Sequence, residues 1–325
     1  MDAVPAKRKM VNFMVSRKKE IKSILSRYFS RWRSSRHIEA HLRFPTMDFH
    51  EALTRTTYKR IFGVWPDLVN PTTISEKMCW LKINDKRPIN GVVCDKWRVR
   101  SYAENLGYAE ILPKLHIVHE NVDDIDFSNL PSTYALKVSN GSSWNFIKGP
   151  KTVLDPKVMK SLLNRWVRTN WSDHKGEWYY QLSKPRILIE EYMDAGGGDL
   201  PDYKLFVFNG RVKIIQYCEA RQSGLKSVFL NRDWEVFPFT YKNLSPFGKP
   251  PKRPETLKFM IDAAQKFGQD FPLLRVDFYI YEGKPVLGEL SLNPVGGYMN
   301  FKPEKWNTTI GDWLKLPSAD EFKNS

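Results

Sequence analysis

The chain has 325 residues, 42% of them hydrophobic and 14% aromatic, and a formal charge of +15. That length accommodates a large buried core and two or three subdomains, and the lack of any run of about 18 uncharged apolar residues excludes a membrane-spanning helix. Three scattered cysteines, Cys79, Cys94 and Cys218, argue against a disulfide framework or a cysteine zinc site, and with no apolar signal core at the N-terminus the expected location is cytoplasmic.

The charge is uneven along the chain. Residues 1–45 carry twelve Lys and Arg against Asp2, Glu20 and Glu39, so +9 of the +15 belongs to this segment. Its apolar residues, among them Val11, Met14, Ile21, Leu25, Phe29 and Trp32, recur at helical spacing and predict a basic amphipathic helix. Such a helix suits the inner face of an anionic membrane, with residues 11–33 lying at the headgroups. Nucleic-acid phosphate would use the same charge but leave the apolar stripe without a role, so that partner is disfavoured. Packing of the stripe on the protein body is the third option.

From residue 46 onward the sequence reads as one continuous set of elements. A helix is predicted over Phe49–Phe62. Pro66-Asp67 and Asn70-Pro71-Thr72-Thr73 then turn into a second helix at Ser75-Glu76-Lys77, continued by Met78-Cys79-Trp80-Leu81-Lys82. Another runs from a cap at Asp95 to a stop at Gly107. Strand-like runs occupy residues 111–118 and 134–138. Lys137 lies in the second run and is followed by Ser139-Asn140-Gly141-Ser142-Ser143-Trp144. A strand lysine entering a small polar loop gathers a cation and backbone N–H groups around phosphate, although a solvated strand-end lysine before a turn has the same pattern. Neither a G-x-x-x-x-G-K-[ST] loop nor a G-x-G-x-x-G fingerprint occurs.

Residues 156–171 predict a helix, and residues 186–193 a buried strand ending in Glu190-Glu191-Tyr192, followed by a glycine-rich linker to Asp199. Lys204 opens a hairpin around Asn209-Gly210, the strongest short turn signal in the chain. A further strand carries Arg221, and residues 254–267 form a helix. The last hairpin sets Arg275-Val276-Asp277 against Gly288-Glu289-Leu290, each strand carrying an acid among apolar neighbours. Buried acids are costly unless they meet a cation or a hydrogen-bond partner, which suggests Mg²⁺ with Asn293 as a third oxygen ligand. The alternative is two polar-face residues on a half-exposed sheet. Strands and helices mix without strict alternation, which gives an α+β fold.

Taken in order, Asp95-Lys96, Lys137 with its glycine loop, Glu190-Glu191-Tyr192, the Asn209-Gly210 hairpin, Arg275-Val276-Asp277 and Gly288-Glu289-Leu290 resemble the ATP-grasp superfamily. Within it the chain resembles the branch named after the teichuronopeptide biosynthesis protein TupA, associated with bacterial surface polysaccharides. Asn70-Pro71-Thr72-Thr73-Ile74-Ser75-Glu76-Lys77, Leu200-Pro201-Asp202-Tyr203-Lys204 and Gly311-Asp312-Trp313-Leu314-Lys315 add to the likeness, which spans residues 55–317. The resemblance implies two α+β lobes clamping ATP: a basic extension over residues 1–45, an N-terminal lobe over 46–130, a small lobe with the glycine loop over 131–192, and a large lobe with the metal hairpin over 193–325.

For the site, the resemblance implies Lys96 and Lys137 on the α- and β-phosphates, with Asn140, Gly141, Ser142 and Ser143 closing over the γ-phosphate. Glu190, Glu191 and Tyr192 would form the adenine hinge, and Asp199 joins the nucleotide-binding set. Asp277 and Glu289 would hold Mg²⁺; the usual Glu-x-Asn pattern is broken, leaving Ser291 or Asn293 as the third ligand. Arg275, Lys204 and Arg221 would meet the transferred phosphate or the substrate carboxylate. The implied reaction is ATP-dependent amide formation, through an acylphosphate, between an amine or amino acid and an acidic sugar of a capsule, O-antigen or teichuronic-type polymer. A glycan kinase on the same fold is the rival.

Overall fold

The computed structural model describes residues 46–196, 200–219, 224–241, 249–318 and 320–322, together with Ala40, Arg43 and Phe44. The basic segment over residues 11–33, Asp199 and Arg221 lie outside the described residues.

The fold is α+β, with helices around two larger antiparallel sheets and a two-stranded antiparallel pair among the described residues. Helix α1 (Phe49–Phe62) begins where Asp48 accepts a hydrogen bond from the Glu51 N–H and ends at Gly63, left-handed at φ 78°. Helix α2 (Ile74–Asn84) starts on a reciprocal capping box between Thr73 and Glu76. After the short α3 (Ile89–Val93), α4 (Arg98–Asn105) begins later than expected from Asp95. The Asp95 carboxylate accepts from the Trp97 and Arg98 N–H groups at 2.8 and 3.0 Å, so it closes a turn ahead of the helix proper.

The first sheet holds β1 (Leu115–His119), β2 (Tyr134–Val138), β3 (Asn145–Lys148) and β4 (Ile187–Glu190) in the order β1-β4-β2-β3. The predicted strand over 111–118 starts only at Leu115, because Ala109–Ile111 forms a 3-10 turn. Helix α5 (Pro156–Arg168) covers this sheet, with Met159 and Leu163 against Leu136, Ile187 and Ile189. It is shorter than the predicted 156–171: the chain is extended at Thr169, and Asn170 caps a separate 3-10 turn, Trp171–Asp173.

The second sheet is built from β5 (Asp202–Phe208), β6 (Arg211–Glu219), β7 (Lys226–Leu230) and, after the short β8 (Thr240–Tyr241) and helix α6 (Leu257–Phe267), β9 (Leu273–Tyr281) and β10 (Lys284–Ser291). Its order is β10-β9-β5-β6-β7. Positive φ at both Asn209 and Gly210, and again at Glu282 and Gly283, gives the two tight turns the twist that antiparallel hairpins require. One face packs Leu205, Val207, Val276 and Phe278 on α6. The other is divided. Phe206, Phe208, Ile214 and Phe229 meet α2 and the final elements, β11 (Phe301–Lys302) and α7 (Lys305–Trp313), whereas Lys204, Gln216, Arg275 and Asp277 form a buried polar stretch beside them.

Candidate active site

A cleft between the two sheets gathers Lys137 and Glu190 from the first, Lys96 from the turn ahead of α4, and Arg275, Glu289 and Asn293 from the second sheet and its following loop. On the first side, Glu190 sits at the end of β4, 3% exposed. The Lys137 ammonium lies 2.5 Å from its Oε2 and the Arg100 guanidinium 3.8 Å from its Oε1. Lys96 donates to the Gly141 carbonyl and, at 3.4 Å, to those of Val138 and Ser139. The root of the loop is fixed as well: Ser139 Oγ donates to Asp95 at 2.9 Å and accepts from the Arg186 N–H at 3.1 Å. Burial lowers the Lys96 pKa, with Glu289 opposing the shift and Lys137 adding to it.

The glycine loop divides between two roles. Gly141 and Ser142 line the cleft, and a Cβ at Gly141 would overlap the Trp144 ring, so the close turn needs glycine. Asn140 instead donates to the Ser183 carbonyl at 3.2 Å, and Ser143, at φ 62°, serves the turn, so neither lines the cleft. Glu191 and Tyr192 also stand off it; the Glu191 N–H donates to the Lys114 carbonyl at 2.9 Å.

On the second side, Gln216, Lys204, Asp277 and Glu289 oppose one another across β6, β5, β9 and β10. The last pairing depends on a bulge: Leu287 faces Phe278 and Glu289 faces Asp277, leaving Gly288 as the extra residue. Leu287 therefore joins the same core as Leu290 and Leu292, while Glu289 turns to the cleft. Arg275 ties the acids together, donating to Asp277 Oδ1 and Oδ2 at 2.6 and 2.8 Å and to Glu289 Oε1 at 2.6 Å. Lys204 donates to Asp277 Oδ2 and lies 3.4 Å from Asp202 Oδ1. Burial alone would raise the Asp277 carboxyl, but Arg275 and Lys204 outweigh it and hold it below the ordinary value.

Donor chemistry at this row fits a hard divalent cation, since Asp277, Glu289 and Asn293 offer only oxygen. Asn293 is 5% exposed, and its Oδ1 is buried without a hydrogen-bond partner. Its Nδ2 donates at 3.3 Å to the Tyr179 hydroxyl, which in turn donates at 2.9 Å to Glu177. Ser291 also borders the cleft. Among the described residues no three His, Cys, Asp or Glu side chains cluster as a metal site, and Asp277 would have to yield bonds to Arg275 and Lys204 to take a ligand position.

Four further cleft residues, Arg100, Lys175, Glu177 and Tyr180, carry no sequence signal of their own. The loop bearing three of them is held by Lys82 of α2. This lysine is 3% exposed, donates at 2.8 Å to the Lys175 carbonyl, at 2.7 Å to the Gly296 carbonyl and at 3.2 Å to the Tyr298 hydroxyl, and stands 4.4 Å over the Tyr298 ring. It thus joins two cleft walls through their backbone.

A family model described as TupA-like ATPgrasp matches residues 76–315, well over half of the chain. No curated protein matches. Among solved structures, the D-alanine-D-alanine ligase from Helicobacter pylori is 18% identical, with 75% of this chain and 69% of that one covered and a TM-score of 0.41. The D-alanine-D-alanine ligase from Bacillus anthracis complexed with ATP is 15% identical, over 62% of this chain and 55% of that one, at a TM-score of 0.37. An L-amino acid ligase from Bacillus licheniformis is 12% identical, over 85% and 62%, at a TM-score of 0.44.

Proposed function

The chain belongs to the TupA-like ATP-grasp family, and on that footing we propose that it is an ATP-dependent ligase joining a carboxylate to an amine. The acid is a uronic-type sugar of a bacterial surface polysaccharide, and the amine an amino acid or a similar nucleophile. The observation that carries this reading is the convergence, among the described residues, of five cations, Lys96, Arg100, Lys137, Lys175 and Arg275, with three carboxylates, Glu177, Glu190 and Glu289, around one cleft. An excess of fixed positive charge suits a polyphosphate and a carboxylate brought together.

Carboxylate oxygen is a poor leaving group at neutral pH, and bound MgATP supplies a better one by placing a phosphoryl group on it. The protein's task is then alignment and charge neutralisation, for which no nucleophilic side chain is needed. Lys96 and Lys137 hold the α- and β-phosphates, with Glu190 orienting the Lys137 ammonium and Gly141-Ser142 covering the chain of phosphates. Glu190 borders the adenine, whereas Glu191 and Tyr192, which stand off the cleft, are left out of its contacts. Glu289, Asp277 and Asn293 are the residues to hold Mg²⁺, with Lys204 keeping the Asp277 carboxylate charged. Arg275, bonded to both acids, is the group to meet the transferred phosphoryl. Residues 11–33 keep the enzyme at the inner membrane face, where lipid-linked glycans are assembled.

The test is phosphate release by the purified chain with MgATP and a panel of amino acids and uronic-acid glycans. Release that requires both an acid and an amine, with a product lighter by one water than their sum, supports ligation. A stable phosphosugar formed without amine refutes it.

A further inference from the structure

Away from the cleft, the last turn of α1 and the loop from α1 to α2 present an unusual rim. Within nine residues four large apolar side chains stand in solvent: Ile61 at 49%, Val64 at 58%, Trp65 at 41% and Val69 at 87% exposure. Single exposed apolar residues are ordinary, but four within nine residues of chain are not.

The loop is anchored from within. Pro66 is buried, and Phe62 and Leu68 pack against the cluster of Tyr58 and Tyr298. Asp67 Oδ1 accepts from the N–H groups of Val69 and Asn70 at 2.9 and 2.8 Å, and Glu76 accepts from those of Asp67 and Thr73 at 3.2 and 3.0 Å. The outward side chains are therefore preorganised, so docking them costs little conformational entropy.

Cations surround the rim. Arg43 and Lys59 lie 5.7 and 6.0 Å from the Trp65 ring centroid, and Arg60, next to Lys59 in the chain, is exposed. Asp67 is the one acid between residues 59 and 73, and its Oδ1 is engaged with backbone. Phe44 meets Trp65 edge-on at 5.6 Å, so the strongly basic segment of residues 1–45 ends at this rim.

We propose that Ile61, Val64, Trp65 and Val69, with Arg43, Lys59 and Arg60, form a docking surface for an anionic lipid bilayer. The apolar side chains enter the headgroup region, Trp65 lies at the interface, and the cations meet lipid phosphate. Helix α2, about 16 Å long, starts directly after the loop and brings Lys82 to the cleft walls near its other end, so one helix links the rim to the cleft. The proposal does not depend on the ligase reading, because its test contains no substrate.

The test uses the full chain carrying an environment-sensitive fluorophore on Val69→Cys; the three native cysteines are buried. With phosphatidylcholine–phosphatidylglycerol vesicles the probe emission shifts to the blue and is quenched by brominated lipid, whereas with phosphatidylcholine alone it changes little. Replacing Arg43, Lys59 and Arg60 with Gln weakens binding by about a hundredfold. Ile61→Ser with Val64→Ser in the labelled chain weakens it too, at an unchanged melting temperature. Three results overturn the proposal: no binding to anionic vesicles, binding with the probe left in water, as docking through residues 11–33 alone would give, or a lipid-free dimer or protein complex that covers the probe.

Discussion

Glu289 and Asp277 face each other in register, yet they call for different experiments. The Glu289 side chain is 40% exposed and shares Arg275 with Asp277, so Glu289→Gln leaves the guanidinium paired. Its expected effect is a fall in Mg²⁺-dependent ATP turnover of about a hundredfold or more with little change in melting temperature. Phosphate release and a thermal melt on the same sample check both halves. Asp277→Asn instead strips a buried carboxylate from Arg275 and Lys204, at a cost of about 3–5 kcal/mol, so lost turnover there is confounded with lost stability. Lys96 makes a pH prediction. Its ammonium must be charged to hold phosphate, and burial lowers its pKa from the usual 10.5, so kcat/KM falls as pH rises through that lowered value. Lys96→Arg moves the alkaline limb upward, because guanidinium stays charged. A limb unmoved by this substitution would assign the titration elsewhere.

Helix α2 is the element on which cleft geometry depends. At its C-terminal end, Lys82→Met removes the donor shared by the Lys175 and Gly296 carbonyls, leaving buried acceptors at about 1–3 kcal/mol each. We expect a lower melting temperature and weaker MgADP binding by calorimetry; unchanged binding would show that the two walls hold without it. At its N-terminal end, a Cβ on Gly311 of α7 would overlap the Thr72 carbonyl oxygen, so Gly311→Ala is expected to destabilise by about 1–3 kcal/mol in denaturant melts. Much of this scale is legible in the sequence. Thr73 with Glu76 marks the start of α2, and Asn209-Gly210 fixes a hairpin, because capping and tight turns are local chemistry. Three features are not legible, for physical reasons. Strict alternation through β10 puts Leu287 and Glu289 on one face, and only the bulge at Gly288 separates them. Lys82 reads as a solvated lysine on an amphipathic helix, whereas carbonyls distant in sequence satisfy it in the core. Lys175 and Glu177 lie in an irregular loop whose approach to the cleft is set by tertiary contact alone.

For the whole molecule, the central claim is that a cleft between two antiparallel sheets delivers phosphate to a carboxylate rather than to a hydroxyl. Asp95-Lys96, the glycine loop, Glu190 and the last hairpin come from four separate stretches of chain, and the structure brings Lys96, Gly141, Glu190 and Glu289 to one cleft. Their chemistry does not by itself distinguish ligase from kinase, since both need the same charge around ATP. The fate of oxygen does. If the acceptor carboxylate attacks the γ-phosphorus and the amine then expels phosphate, one carboxylate oxygen leaves with the phosphate. The decisive measurement is turnover of a uronic-acid acceptor labelled with ¹⁸O in its carboxylate, with MgATP and an amine, followed by mass analysis of the inorganic phosphate. The account predicts one ¹⁸O in the released phosphate, lost together with turnover in Glu289→Gln. Phosphate retained on the sugar as an ester, with the labelled carboxylate intact, would contradict it.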